Sequence, residues 1–178
     1  MAAQVNKSKP HKSLASPRQQ NENRFIWNDA RSPELADFFT VGYTGKPLDK
    51  ILDALTKRGV RTLLDVRKNP ASMYRPELAK TNLKRLVEQH GLQYAHVPEL
   101  GVPREIRTKA FEKGNRKIIW DWYDEHVLKP YLRKNLHWFL NSVEHPVALM
   151  CVEIDPRDCH RHRLFMALEN LGLRGYDL

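Results

Sequence analysis

The feature that most constrains this chain is the alternation of short apolar runs with longer stretches of helical periodicity. Five runs read as strands, Phe38–Gly42, Thr62–Val66, Gln93–Val97, Val147–Glu153 and Gly175–Leu178. After the first, Pro47 stands where an opening helical turn tolerates proline, Ile51, Leu52 and Leu55 recur on one face, and Gly59 ends the helix. Leu78, Leu83, Leu86 and Val87 mark a second helix closed by His90-Gly91, and Leu164, Ala167, Leu168 and Leu171 a last one closed by Gly172. The stretch from Arg104 to Val143 is predicted helical, interrupted at Gly114 and Pro130. It carries Trp120, Trp122 and Trp138, which read as core or cleft wall. Strands that alternate with helices are satisfied by a mainly parallel sheet covered by those helices. The predicted class is therefore α/β, a compact single domain with a mainly parallel sheet flanked by helices.

Composition sets the limits of that domain. Residues 1–23 hold Lys7, Lys9, Lys12 and Arg18 among Ser, Pro, Gln and Asn, a mixture that buries almost nothing and predicts a disordered basic tail. Phe25, Ile26 and Trp27 break that polarity, so the domain is expected to span 24–178 and this segment to dock on it. A chain of 178 residues suits one core. There are only two cysteines, and no basic start leads into an apolar run of signal-peptide length, which points to a cytoplasmic protein. No run approaches the roughly 18 apolar residues of a membrane span. The formal net charge of +9 creates a field that gathers polyanions, which makes DNA the expected partner; nothing in the sequence indicates a protein partner.

In parallel sheets ligands bind beyond the carboxyl ends of the strands, where the loops and helix starts converge. This rule collects Tyr43, Thr44 and Lys46 after the first strand and Asp65, Arg67, Lys68, Ser72, Tyr74 and Arg75 after the second. His96 to Gly101 follow the third strand, and Glu153 with Cys159, His160, Arg161 and Arg163 the fourth. Asp65 and Glu153 end otherwise apolar strands, where a carboxylate is costly unless paired or used, with Arg67 and Arg161 the natural partners. Either carboxylate could activate water or stabilise developing positive charge, or both could belong to an ion-pair network that only closes the sheet. Asp158 is the expected N-cap of the last helix. Cys159, His160 and Arg161 then fall in a first turn that, with Arg163, suits a phosphate and would lower the Cys159 pKa. The glycines of Gly42-Tyr43-Thr44-Gly45 would let backbone approach a ligand, and Tyr43 and Tyr74 offer stacking faces. Cys151 reads as core. Cys151, Cys159 and His160 lack the close paired spacing of a zinc site, so no metal and no cofactor is predicted.

Val41-Gly42-Tyr43-Thr44, Leu64-Asp65-Val66-Arg67 with Pro70 and Ser72, Leu100-Gly101, and Cys151-Val152-Glu153 with Cys159-His160-Arg161 together resemble the domain-of-unknown-function 488 family, from about Phe38 onward. The resemblance implies a compact α/β fold with these motifs gathered at one site, and a connection with base-excision repair of damaged pyrimidines in DNA. The chain departs from that pattern where Tyr43-Thr44 replaces a His-Ser pair. The expected function is thus a DNA glycosylase, with or without AP-lyase activity. Asp65 and Glu153 would be its acid–base groups and Lys46 or Lys68 the Schiff-base amine; Tyr43, Thr44, Arg67, Ser72, Tyr74, Arg75, Cys159, His160, Arg161 and Arg163 would bind substrate. The alternatives are a non-catalytic nucleic-acid-binding module and a small-molecule hydrolase or thiol enzyme using Cys159.

Overall fold

The computed structural model describes residues 32–134 and 142–178. The predicted tail, the docking of Phe25–Trp27 and the place of Trp138 lie outside the described residues. The strands are β1 Phe38–Gly42, β2 Thr62–Asp65, β3 Gln93–His96, β4 Val147–Cys151 and β5 Gly175–Asp177. The helices are α1 Leu48–Lys57, α2 Lys80–Gln89, α3 Arg104–Glu112, α4 Lys117–Tyr123, α5 Lys129–Lys134 and α6 His160–Asn170. All strand pairs are parallel, in the order β3-β2-β4-β1-β5.

Because both faces of the sheet are covered, strand residues alternate between two cores. Phe39, Val41, Leu63, Ala148 and Met150 pack with Ile51, Leu52 and Leu55 of α1 and Leu83 and Val87 of α2. Phe38, Leu64, Val147, Leu149 and Cys151 pack with Tyr123, Val127 and Tyr131 from the central helices and Leu164, Phe165 and Leu168 of α6. The predicted α/β class is the one observed.

Two local expectations need correction. Predicted β4 ran to Glu153, but pairing stops at Cys151 because the next carbonyls are taken by other groups. Val152 O accepts from the Thr44 amide and hydroxyl, and Glu153 O from Arg161. Pro130 was expected to interrupt the helix, yet it is accommodated. The preceding residues Asp124–Leu128 widen into a π-helical turn, with Lys129 N–H bonded to Asp124 O, where a tight turn would drive the proline ring into a carbonyl.

The strand order positions the site. β4 lies between β1 and β2 and leads into α6 on one face of the sheet, whereas β1 and β2 lead into α1 and α2 on the other. The connections therefore diverge on either side of β4, and beyond the carboxyl end of such a strand is where parallel sheets bind ligands.

Candidate functional site

Asp65 and Arg67 lie at the carboxyl end of β2, beside β4. Asp65 is fully buried at the end of β2, and both its oxygens are engaged. Arg67 donates from Nε to Oδ1 at 2.8 Å and from a terminal nitrogen to Oδ2 at 2.6 Å, its backbone N–H adds a 3.1 Å bond, and the Tyr94 hydroxyl donates to Oδ2 at 2.9 Å. Arg67 is itself 4% exposed and also reaches Leu78 O. Burial opposes its charge, but the Asp65 carboxylate outweighs burial and holds the guanidinium more basic than usual. Asp65 thus orients Arg67 with no oxygen left over. Tyr94, whose phenol is pushed up by burial and by the Asp65 charge, completes the arrangement. It escaped the sequence reading because no local pattern links it to a partner 29 residues away.

Arg67 carries this order to the β1–α1 loop. Its guanidinium lies 5.3 Å from the Tyr43 ring centre, and Arg75 lies 5.8 Å from the same ring while donating to Tyr43 O and Lys46 O at 3.0 Å each. Tyr43 is therefore a contact surface for two arginines. Ser72 accepts from the Arg75 amide and fixes the bend, which leaves Met73 and Tyr74 88% and 96% exposed at the tip. Lys46 donates to Leu178 O at 3.0 Å and lines a cavity of about 410 Å³ with Lys50, Arg58 and Tyr176. Burial and the Arg161 charge lower its pKa. Lys68 is exposed.

At Gly42, where the sequence suggested a ligand, and at Gly101, the missing side chain admits neighbouring backbone. A Cβ on Gly42 would stand 1.8 Å from Glu153 O, and one on Gly101 2.1 Å from Lys68 N. Each glycine lets one loop seat directly on another.

At the end of β4, Glu153 is half-buried. Burial pushes its pKa up, but hydrogen bonding from Cys159 and from the backbone, with the charge of His160, holds the carboxyl below its usual value, so it is ionised at neutral pH. The expected ion pair with Arg161 is not formed. Arg161 is 1% exposed and donates to the Glu153 and Ile154 carbonyls and to Thr40 Oγ1, so it fixes the backbone that carries Glu153 and leaves the carboxylate free of it. Such burial makes Arg161 part of the framework.

The predicted cap of α6 is also displaced by one residue. Asp158 closes a short 3-10 turn and pairs with Arg116, while Cys159 is the N-cap, its Sγ accepting from the Arg161 amide at 3.5 Å. Burial pushes the Cys159 thiol well up, the reverse of the predicted lowering, because the sulfur is 1% exposed and desolvation exceeds any effect of the helix start. Arg163, expected at a phosphate, forms a two-pronged pair with Asp124. That pair is about one-third exposed, so Arg163→Ala is expected to cost about 1 kcal/mol or less in urea unfolding and to leave nucleic-acid affinity unchanged.

Cys151, read from sequence as core, lies with Cys159 and His160 in a buried group whose donor atoms are all within 4.8 Å of one another. His160 Nδ1 is 3.9 Å from each sulfur, its Nε2 is 3.2 Å from Val66 O, and Cys151 Sγ is 3.5 Å from Glu153 Oε2. One signal could have found this. Cys151 and Glu153 are two residues apart at a strand end and so share a face, and the helix after that strand returns Cys159-His160 to it.

These features define a parallel α/β protein whose polar groups gather beyond the carboxyl ends of its three central strands. The family model for the domain of unknown function DUF488 matches residues 47–168, and the chain belongs to that family. The match takes in the Asp65, Gly101 and Glu153–Arg161 motifs and begins after Val41–Thr44. No curated protein and no solved structure matches the chain. Among the described residues no helix is long and apolar enough to cross a membrane.

Proposed function

We propose that this protein is a DNA glycosylase that excises a damaged or oxidised pyrimidine, with Glu153 as the working carboxylate. What supports the reading is the place of Glu153, half-buried just past the carboxyl end of β4 and one loop away from the exposed Met73-Tyr74 tip. An enzyme that acts on a base must take it out of the stack, and an apolar side chain pushed between base steps helps to open the duplex. Met73 and Tyr74 have the exposure for this, and Arg75 fixes their loop to the β1–α1 loop, so the wedge is held in place. Glu153 then stabilises the oxocarbenium-like sugar or takes a proton from the attacking water. The formal charge of +9 supports DNA as the partner, and two free buried cysteines suit a cytoplasmic setting. For a lyase step, Lys46 is the better amine, because its lowered pKa leaves more of it unprotonated.

The test is a panel of duplexes carrying uracil, oxidised pyrimidines or alkylated purines, incubated with the protein and then treated with alkali. Strand breaks at an oxidised pyrimidine are expected, with Glu153→Gln slowing them roughly 100-fold or more and Tyr74→Ala weakening duplex binding. Binding without breaks on any lesion would leave a nucleic-acid-binding module instead. Borohydride should trap a covalent adduct that Lys46→Ala removes; without such an adduct, base excision would proceed through water alone.

A further inference from the structure

We propose that Cys151, Cys159 and His160 form a binding site for a zinc-class divalent metal, with its fourth position facing Glu153. Zinc binds thiolate sulfur at about 2.3 Å and imidazole nitrogen at about 2.0–2.1 Å, so the edges of its tetrahedron are roughly 3.6–3.8 Å. The 3.9 Å separations of His160 Nδ1 from both sulfurs are close to such edges. Small side-chain rotations would close them on an ion.

The surroundings suit a metal better than an ordinary core. His160 Nε2 lies 3.2 Å from Val66 O; a proton there bonds to that carbonyl, the usual bracing of a metal-bound histidine, and leaves Nδ1 as the ligating nitrogen, with a turn of the ring needed to bring it onto Cys151 Sγ, which is 3.9 Å from both ring nitrogens. The Arg161 amide points at Cys159 Sγ from 3.5 Å, as a donor would toward a thiolate. All three donors come from firm elements, the last residue of β4 and the N-cap and first residue of α6. Glu153 Oε2, 3.5 Å from Cys151 Sγ, is the carboxylate in contact with the group and lies where a fourth ligand or a metal-bound water would stand. The sequence reading missed this arrangement because the ligands follow a strand-to-helix return in place of two close pairs.

On binding, each thiol forms a sulfur–metal bond and gives its proton to solvent, so one metal ion releases two protons and changes no oxidation state. The three ligand atoms play no part in the glycosylase reading, which shares only Glu153 with this site, so metal binding stands or falls independently of base excision.

The experiment uses the full chain, purified under reducing conditions, stripped with chelator and titrated with Zn²⁺ or Co²⁺. One equivalent is expected to bind, with release of about two protons in weak buffer, a rise in melting temperature, and for cobalt the thiolate charge-transfer and intense visible bands of a tetrahedral sulfur site. Cys159→Ser and Cys151→Ser should lose the charge-transfer intensity and the thermal shift. Proton release and cobalt spectra are read on the unaltered chain, so the test does not depend on those variants folding. A chain that takes up no equivalent of either metal overturns the proposal. So does binding without proton release or sulfur bands, which would place the ion on surface histidines, and so does wild-type binding retained in both serine variants.

Discussion

Asp65→Ala is expected to cost about 3–5 kcal/mol, because it leaves a guanidinium buried without its counter-charge. Arg67 is 4% exposed, and with the carboxylate gone it keeps no counter-charge among these contacts, only Leu78 O, a 3.4 Å contact with the Tyr43 hydroxyl and the face of the Tyr43 ring. It cannot escape by losing its proton, since an arginine stays charged under any condition in which the chain folds. The Tyr94 hydroxyl loses its acceptor at the same time. Against a typical domain stability of about 5–15 kcal/mol this is a large share. Urea unfolding should show a much lower midpoint with an unchanged slope. If melting were unchanged and excision alone were lost, Asp65 would be a working carboxylate, as its strand-end position first suggested, and its bonds to Arg67 would be incidental.

The second large effect is expected at Gly42. An alanine there would place Cβ 1.8 Å from Glu153 O, 2.6 Å from the Glu153 carbonyl carbon and 2.9 Å from Ile154 Cα, all backbone atoms that cannot rotate aside. Either β1 or the β4 exit must move by more than an ångström. The latter carries Glu153 and is pinned by Arg161, so both stability and excision should suffer, the first by about 3 kcal/mol or more. Gly45→Ala is the control: φ is +72° and nothing lies within 4 Å of the added carbon. It should cost only the left-handed backbone penalty of about 1–2 kcal/mol and leave Glu153 in place. Thermal unfolding and lesion cleavage measured on one preparation separate the two variants. Equal, mild effects at both glycines would mean that the close approach at Gly42 is not needed.

The strands and the loops that follow them were legible because burial on both faces of a sheet forces continuous apolar runs, and because the polar residues that interrupt such runs fall at their carboxyl ends. Asp65 and Arg67 could be paired at sight for the same reason, being two residues apart on an extended segment. What failed depended on contacts distant in the chain. Arg161 was assigned to the Glu153 side chain although it serves the same residue's carbonyl, and sequence proximity does not distinguish the two. Arg163 is drawn away by Asp124, 39 residues earlier, and Tyr94 reaches Asp65 across 29. The cap fell on Cys159 because Pro156 starts a short turn that uses up Asp158 before the helix begins. The Cys151–Cys159–His160 group was hidden because its members are ordinary core residues when each is considered alone.

The insertion of β4 between β1 and β2 also dictates an order of events as the chain is synthesised. Among the described residues β1 pairs with β4, which begins at Val147, and with β5, which begins at Gly175, so the apolar run Phe38–Val41 emerges more than a hundred positions before either neighbour exists. β2 and β3 can associate early, but their pairing leaves one side of β2 open until the same late strand arrives. The sheet can therefore close only when Val147–Cys151 threads between two waiting edges, and joining both halves in one step makes folding slow and cooperative. Until then the chain presents two unpaired apolar edges, which are open to pairing with another copy.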